Sequence, residues 1–528
     1  MVSMDNFKET QFAKKGKKGI HKVIFGRAMF IVLLLIVQAL IIVAPFVWLN
    51  WYYSSFFYWI FFGISLLTAI EIFSTDSDPT VKLSWIVLVI GTNIFGTLFY
   101  WWARLDVGHH RLKKNIASVT AAGKELQKPT DDVINDIKDN VKSLSNRSNY
   151  LINVGGYYPY RYNKMKYYRF GQEMLPDFLE DLRNAKHFIF LEYFIIKEGE
   201  MWGSVLEILA KKASEGVDVR LNYDGTNEFD SLPHSYPKQM AALGIKCKRF
   251  DPLRPFISTE FNYRDHRKIA VIDGRIAYTG GVNMADEYIN VDSPFGVWKD
   301  NALRVQGPAI ATFTRLFLEC WNSREDEYDF GEFIAESEKC PTYTDEVGYA
   351  IPFGDNPLAS DKIGEQIYLE IINTAKQYVY VMTPYFVVDE VVINALSYAA
   401  KRGIDVKIMI PHIPDKKIAY CITKSYRKRL VRAGVKFFEY TPGFIHSKAI
   451  VSDGKKAVLG SINMDYRSFY HHFEIGVYMY KTAVIKDVEA DFAECLKECQ
   501  EDTIESIDKE PWFGKFIGYI GRLIAPMI

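Results

Sequence analysis

A chain of 528 residues is too long for one hydrophobic core and divides into two or three domains. Lysine plus arginine and aspartate plus glutamate balance at 64 each, which leaves no electrostatic case for a nucleic-acid binder. The six cysteines contain no Cys-x-x-Cys pair and imply no disulfide framework, while an aromatic content of 15% fits a chain in contact with membrane.

Residues 1–27 form a basic tail, with Lys8, Lys14, Lys15, Lys17, Lys18, Lys22 and Arg27 set against Asp5 and Glu9. No small-residue cleavage site follows a short apolar core, so a removable signal peptide is not expected. Residues 28–102 read as a transmembrane region with apolar runs at 28–49, 51–70 and 81–102. The second run is very aromatic and fits either a span or the membrane interface. Basic residues before the first run and after the last (Arg104, Arg111, Lys113, Lys114) both point to the cytoplasm, which requires an even number of crossings. The region is therefore assigned two to three spans. Residues 103–154 read as a polar, partly helical linker.

From there the chain repeats itself. The apolar strand pattern at 187–196 returns at 378–388, that at 216–221 returns at 403–410, and Leu243-Gly-Ile-Lys returns as Ala433-Gly-Val-Lys. Strands alternating with helices argue for an α/β layer with a largely parallel sheet in each of two halves, 155–335 and 336–505. The tail, 506–528, sets Trp512, Phe513, Phe516, Tyr519 and Ile520 around Lys515 and Arg522, and reads as an interfacial anchor.

The strongest signal is a second level of repetition. His266, Lys268, Asp273, Gly280 and Asn283 recur as His446, Lys448, Asp453, Gly460 and Asn463, with identical offsets from the histidine. One His-x-Lys arises by chance, but two copies matched at five positions mark an internal repeat. In an extended strand the imidazole and the ammonium share a face. Exchange at a phosphodiester needs a nucleophile, an acid for the leaving alkoxide and cations for the phosphoryl oxygens. Two imidazoles and two ammonium groups can supply all three, so no metal or other cofactor is expected. Asp273 and Asp453 each precede a glycine and are expected to hold a turn by accepting backbone N–H groups. The pair His471 and His472 reads as exposed strand-edge imidazoles.

This double motif resembles the HKD signature of the phospholipase D superfamily. Residues 463–469 (Asn-Met-Asp-Tyr-Arg-Ser-Phe) and 280–288 (Gly-Gly-Val-Asn-Met-Ala-Asp-Glu-Tyr) are similar to its bacterial cardiolipin synthase branch. The resemblance implies two pseudo-two-fold-related α/β/α halves, preceded by N-terminal transmembrane helices, with one site at their seam. It implies a phosphatidyltransferase of the bacterial cell membrane, multi-pass, acting on phosphatidylglycerol and other anionic membrane lipid, with no nucleic-acid partner. Two phosphatidylglycerol molecules would yield cardiolipin and glycerol through a phosphohistidine. A lipid hydrolase, or a transferase with a different acceptor alcohol, is the alternative. On this likeness His266 is the nucleophile and His446 the acid and then the base. Lys268, Lys448, Asn283, Asn463 and Ser461 would hold phosphate, and Asp300 and Glu474 would orient the histidines. One departure stands out, since Gly280-Gly281 in the first copy becomes Gly460-Ser461 in the second.

Overall fold

The computed structural model describes residues 51–104, 110–127, 131–250, 263–325 and 327–527. These fall into a helical N-terminal unit and an α/β unit running from Arg111 to Pro526. The basic tail and the apolar run at 28–49 lie outside the described residues.

In the N-terminal unit, α1 (Trp51–Ser74) carries the second apolar run without interruption. Its stretch Ser55–Ser74 is, among the described residues, the one helix long and apolar enough to cross a membrane. The third run does not form a single helix. It breaks into α2 (Pro79–Thr92) and α3 (Ile94–Arg104), with Asn93 between them at φ +51°. The break is held by polar groups that satisfy one another: Ser65 Oγ on α1 donates to Asn93 Oδ1 at 2.9 Å and lies 2.9 Å from Thr97 Oγ1. Glu71 at the end of α1 accepts from Tyr100 and Arg104, each at 2.6 Å. Trp59, Leu67 and Phe73 on α1 remain exposed.

The α/β unit holds two mixed sheets with the same plan. In the first, β1 (Phe188–Tyr193) lies between a parallel neighbour, Asp218–Asp224, and an antiparallel one, β2 (Lys268–Ile272), which turns back into β3 (Ile276–Gly280). In the second, β5 (Tyr378–Met382) likewise lies between the parallel Asp405–Pro411 and the antiparallel β7 (Ala449–Ser452), which turns into β8 (Lys456–Gly460). The sheets are thus not largely parallel: the Asp-Gly turn after each motif strand closes a hairpin, and a hairpin is antiparallel.

Both faces of the first sheet are covered, so alternate side chains of β1 enter different cores. Phe188 and Phe190 pack with Phe317, Phe190 stacking on it at 4.6 Å, while Ile189, Leu191 and Tyr193 join Leu221 and Ala270 on the other side. Truncating Phe190 to Ala would remove about 3–5 kcal/mol. Helix α4 (Ile310–Trp321) is buried along its whole length between elements of both halves. Within 103–154, expected as a partly helical linker, the described residues form three helices, His110–Leu126, Asp131–Asn140 and one that runs on from Lys142 to Gly155; Gln127 donates to Thr312 on α4 at 2.7 Å.

Two strand pairings stitch the halves together. β4 (Val297–Lys299) runs parallel to β6 (Gly443–Ile445), and Arg264–Asp265 runs parallel to the start of β9 (His472–Tyr480).

Candidate active site

Each histidine stands just before a motif strand, and the lysine two residues on shares its face, as the strand period requires. Arg267, between them, points the other way. It is buried against Glu192 at 2.7 Å and Asp265 at 3.4 Å, a paired charge beneath the site.

The two stitches cross the halves at the histidines. The His266 backbone N–H donates to Phe473 O at 3.0 Å, and the His446 N–H to Lys299 O at 2.6 Å. The next residue in each partner segment is a carboxylate. Glu474 therefore sits 2.9 and 3.0 Å from Nδ1 of His266, and Asp300 sits 2.5 Å from Nδ1 of His446. Each half orients the imidazole of the other, and with Nδ1 engaged the reactive nitrogen of both rings is Nε2. Aromatic rings fix the orientations: Phe194 lies edge-on to His266 at 4.9 Å, and Tyr288 and Trp298 lie 5.4 and 5.3 Å from His446.

Both imidazoles, both lysines and both carboxylates are buried. Burial, then the fields of Lys268 and Lys448, hold His266 well below the usual histidine range; burial, then the same two lysines in reverse order, do so for His446. The same two lysines act on both rings. Burial also lowers Lys268 to about 7 and Lys448 to about 8, against the pull of Glu474 and Asp300, and raises Asp300 to about 7. Two ammonium groups this reluctant to stay charged gain strongly when an anion arrives between them.

Asp273 and Asp453 sit at the hairpin turns with φ of +52° and +56°. Asp273 accepts from the N–H groups of Lys186, His187 and Phe188, and Asp453 from those of Lys376, Gln377 and Tyr378. Each ties its turn to the start of the central strand of its own half, away from the imidazoles. Asn283 uses its amide within the protein, accepting from Ile195 N at 3.0 Å and donating to the Tyr288 hydroxyl at 2.7 Å. Asn463 Oδ1 is buried with no partner among the described residues.

Ser461, expected at the phosphate, spends its hydroxyl elsewhere: it donates to Glu474 Oε2 at 2.5 Å and accepts from Ile475 N at 3.0 Å. The glycine at its counterpart has a steric cause. A Cβ on Gly281 would stand 2.0 Å from Asp300 Oδ1. Gly280 and Gly460 are needed for close approach, since a Cβ would meet Asn301 O at 2.3 Å and Ile475 O at 2.1 Å.

Neither His471 nor His472, expected as strand-edge imidazoles in solvent, is exposed: His471 is half-buried, with Nε2 3.4 Å from Pro526 O. His472 is buried, its ring 5.1 Å from that of His266, and neither of its nitrogens has a hydrogen-bond partner among the described residues. Its Nδ1 lies 3.5 Å from Glu474 Oε1. The clue was the strand period: two residues before Glu474 on β9, His472 shares the carboxylate's face. His266, His472 and Glu474 are close enough together to hold a metal ion, as are Glu192, Asp265 and Cys320. In the second group the Arg267 guanidinium already supplies the positive charge.

Paired motif hairpins on two related sheets, with each histidine held by the other half's carboxylate, define a phospholipase D-like α/β protein. The phosphatidylserine synthase of Haemophilus influenzae Rd KW20 shares this fold, with a TM-score of 0.57 over 74% of this chain and 100% of that one at 13% identity. The family described as "Cardiolipin synthase, PLD-like domain" matches residues 178–321 and 368–496. A cardiolipin synthase of Alkalihalophilus pseudofirmus is 31% identical over 88% of this chain and 92% of its own length, and one from Geobacillus sp. (strain WCH70) is 36% identical over 68% and 71%. The chain belongs to the cardiolipin synthase family of the phospholipase D-like proteins.

Proposed function

We propose that this protein is a membrane-bound phosphatidyltransferase that joins two phosphatidylglycerol molecules into cardiolipin and releases glycerol through a phosphohistidine. The observation that carries the reading is the crossed pair of buried His–carboxylate contacts between two lysines. Family membership supplies the lipid chemistry. The apolar helix Ser55–Ser74 supports attachment to the cell membrane, and a multi-pass arrangement would need the run at 28–49 as well.

In the first step Nε2 of His266 attacks phosphorus, and the bond to the headgroup glycerol oxygen breaks. His446 passes its proton to that oxygen, and glycerol leaves. Burial disfavours charge on both Asp300 and His446, so the pair resists charge separation until the substrate's phosphate and the two ammonium groups share the pocket. In the second step neutral His446 takes the proton from a glycerol hydroxyl of another phosphatidylglycerol. That oxygen attacks phosphorus, the P–N bond breaks, and cardiolipin forms. Glu474 keeps the Nδ1 proton of His266 throughout and balances the charge that phosphorylation places on the ring. Lys268 and Lys448 steady the equatorial oxygens, and the side-chain NH2 of Asn463, as a donor, would add a further contact there. Asp273 and Asp453 serve the site at a distance by fixing its hairpins.

Two arms test this reading. Purified protein with phosphatidylglycerol in detergent yields cardiolipin and glycerol in equal amounts; phosphatidic acid as the sole product would overturn the transfer step. A His446→Ala variant given a phosphatidyl ester of p-nitrophenol, whose leaving group needs no acid, accumulates an adduct on the peptide holding His266. An adduct on His446 in the reciprocal His266→Ala variant would reverse the two roles.

A further inference from the structure

Helix α6 (Lys417–Arg432) carries six Lys or Arg residues and no acid. Arg427 is buried and paired with Glu439, Asp502 and Glu510, so it belongs to the core. The others differ. With α5 (Glu390–Lys401) and α7 (Trp512–Ile524), α6 forms a groove of about 460 Å³ lined by Lys401, Lys428, Arg429, Arg432, Tyr519 and Arg522. Two acids reach these five cations: Glu390 pairs with Arg429 at 2.6 Å and Arg522 at 3.5 Å, and Asp508 pairs with Lys428. Five less two leaves a net charge of three. Lys401 and Arg432 are exposed and in no ion pair with any described residue.

Helix α7, which lines one side of this groove through Tyr519 and Arg522, also carries an exposed apolar face. Helix α7 docks through its small face: Gly518 lies so near that a Cβ would stand 2.3 Å from Cys421 O, and one on Gly521 would stand 2.5 Å from Ile422. The opposite face points outward, with Trp512 73%, Phe513 59% and Phe516 52% exposed beside Ile520 and Ile524. Two aromatic turns left bare beside a row of cations match a phospholipid interface, where rings enter the acyl boundary and cations sit at the phosphates. A protein partner would need acidic groups matched to the groove and would leave no reason for the bare rings to flank it.

We propose that this groove is a second lipid site, distinct from the catalytic pocket, that binds the phosphate headgroup of an anionic phospholipid while α7 lies in the same leaflet. The binding measurement below does not depend on the catalytic reading, whereas the rate measurement rests on it. Lys401 and Arg432 take the headgroup phosphate, and Tyr519 stands between phosphate and chain.

The test uses the full chain with His266→Ala, so that no lipid is consumed. Native mass spectrometry counts phosphatidylglycerol retained in a neutral detergent, with and without the added pair Lys401→Glu and Arg432→Glu. The parent retains at least one more phosphatidylglycerol than the variant, retains no extra phosphatidylcholine, and loses the difference as salt rises from about 0.1 to 0.5 M. The milder pair Lys401→Gln and Arg432→Gln gives a partial loss, and an unchanged melting temperature shows that each variant is folded. In the active protein, Lys401→Glu with Arg432→Glu raises the phosphatidylglycerol mole fraction for half-maximal rate about three- to tenfold at unchanged maximal rate. Equal retention by parent and variant overturns the proposal. So does displacement of the lipid by inorganic phosphate at equal concentration, which would make the groove a site for free phosphate, or by a short DNA duplex, which would make it a polyanion surface.

Discussion

Glu474 belongs to the second half of the repeat, yet it lies 2.9 Å from Nδ1 of His266 in the first. Asp300 of the first half mirrors it at His446 of the second. Neither half carries a complete acid–base pair, so the chemistry requires both halves docked.

The crossed carboxylates therefore share the burden of turnover. Glu474→Gln or Asp300→Asn keeps shape and removes charge, leaving an imidazole in the wrong tautomer or without support. Each lowers the rate of cardiolipin synthesis roughly 10²–10⁴-fold with the melting temperature nearly unchanged. A loss under about fivefold in either variant would show that the contact does not serve catalysis.

The two copies of the motif respond differently to changes beside their paired glycines. Gly281→Ala drives a Cβ against Asp300, and turnover falls about 100-fold because His446 loses its partner. Ser461→Ala removes one hydrogen bond to Glu474 and costs about 1.5 kcal/mol, roughly tenfold in rate. The reverse ranking, read from initial rates, would refute this account of the asymmetry.

The proton held by the His446–Asp300 pair and the charges of the two buried lysines together set a basic limit on activity. Lys268 at about 7 and Lys448 at about 8 are charged below those values, so kcat/KM falls as pH rises through this range. His266 must be neutral to attack, and its depressed pKa places the acid limb well below 6.5. Bound phosphate favours the ammonium form, so the basic limb of kcat lies at higher pH than that of kcat/KM. A kcat/KM profile still flat at about pH 9 would show that the lysines need not be charged in the free enzyme.

Asp273 and Asp453 act on stability. Losing three backbone contacts costs about 2–4 kcal/mol at buried Asp273 and about 1–3 at the more exposed Asp453, measured by denaturant unfolding of the Ala variants. Burial pushes the Asp453 carboxyl up, but the N–H groups of Gln377, Lys376 and Tyr378 win and hold it below its ordinary value. Its contribution is thus present above about pH 4 and lost as pH falls. Folded Asp453→Ala keeps turnover within about threefold; a loss on the scale of Asp300→Asn would assign it to the chemistry instead.

What the sequence determined by itself was whatever local periodicity encodes. The strand period set His266 with Lys268 and His446 with Lys448, the Asp-Gly turns set the hairpins, and the doubled spacing announced two related halves. What only the tertiary structure decided depends on groups far apart in the chain. Asp300 lies 146 residues from His446, and no local pattern states which imidazole it serves. Asn93 divides an apolar run because Ser65 and Thr97 meet it across helices, and His472 is buried because the first half covers it. Ser461 faces Glu474 because β8 and β9 are neighbours in the sheet. Periodicity fixes which face a side chain takes, whereas docking of the halves fixes what that face meets.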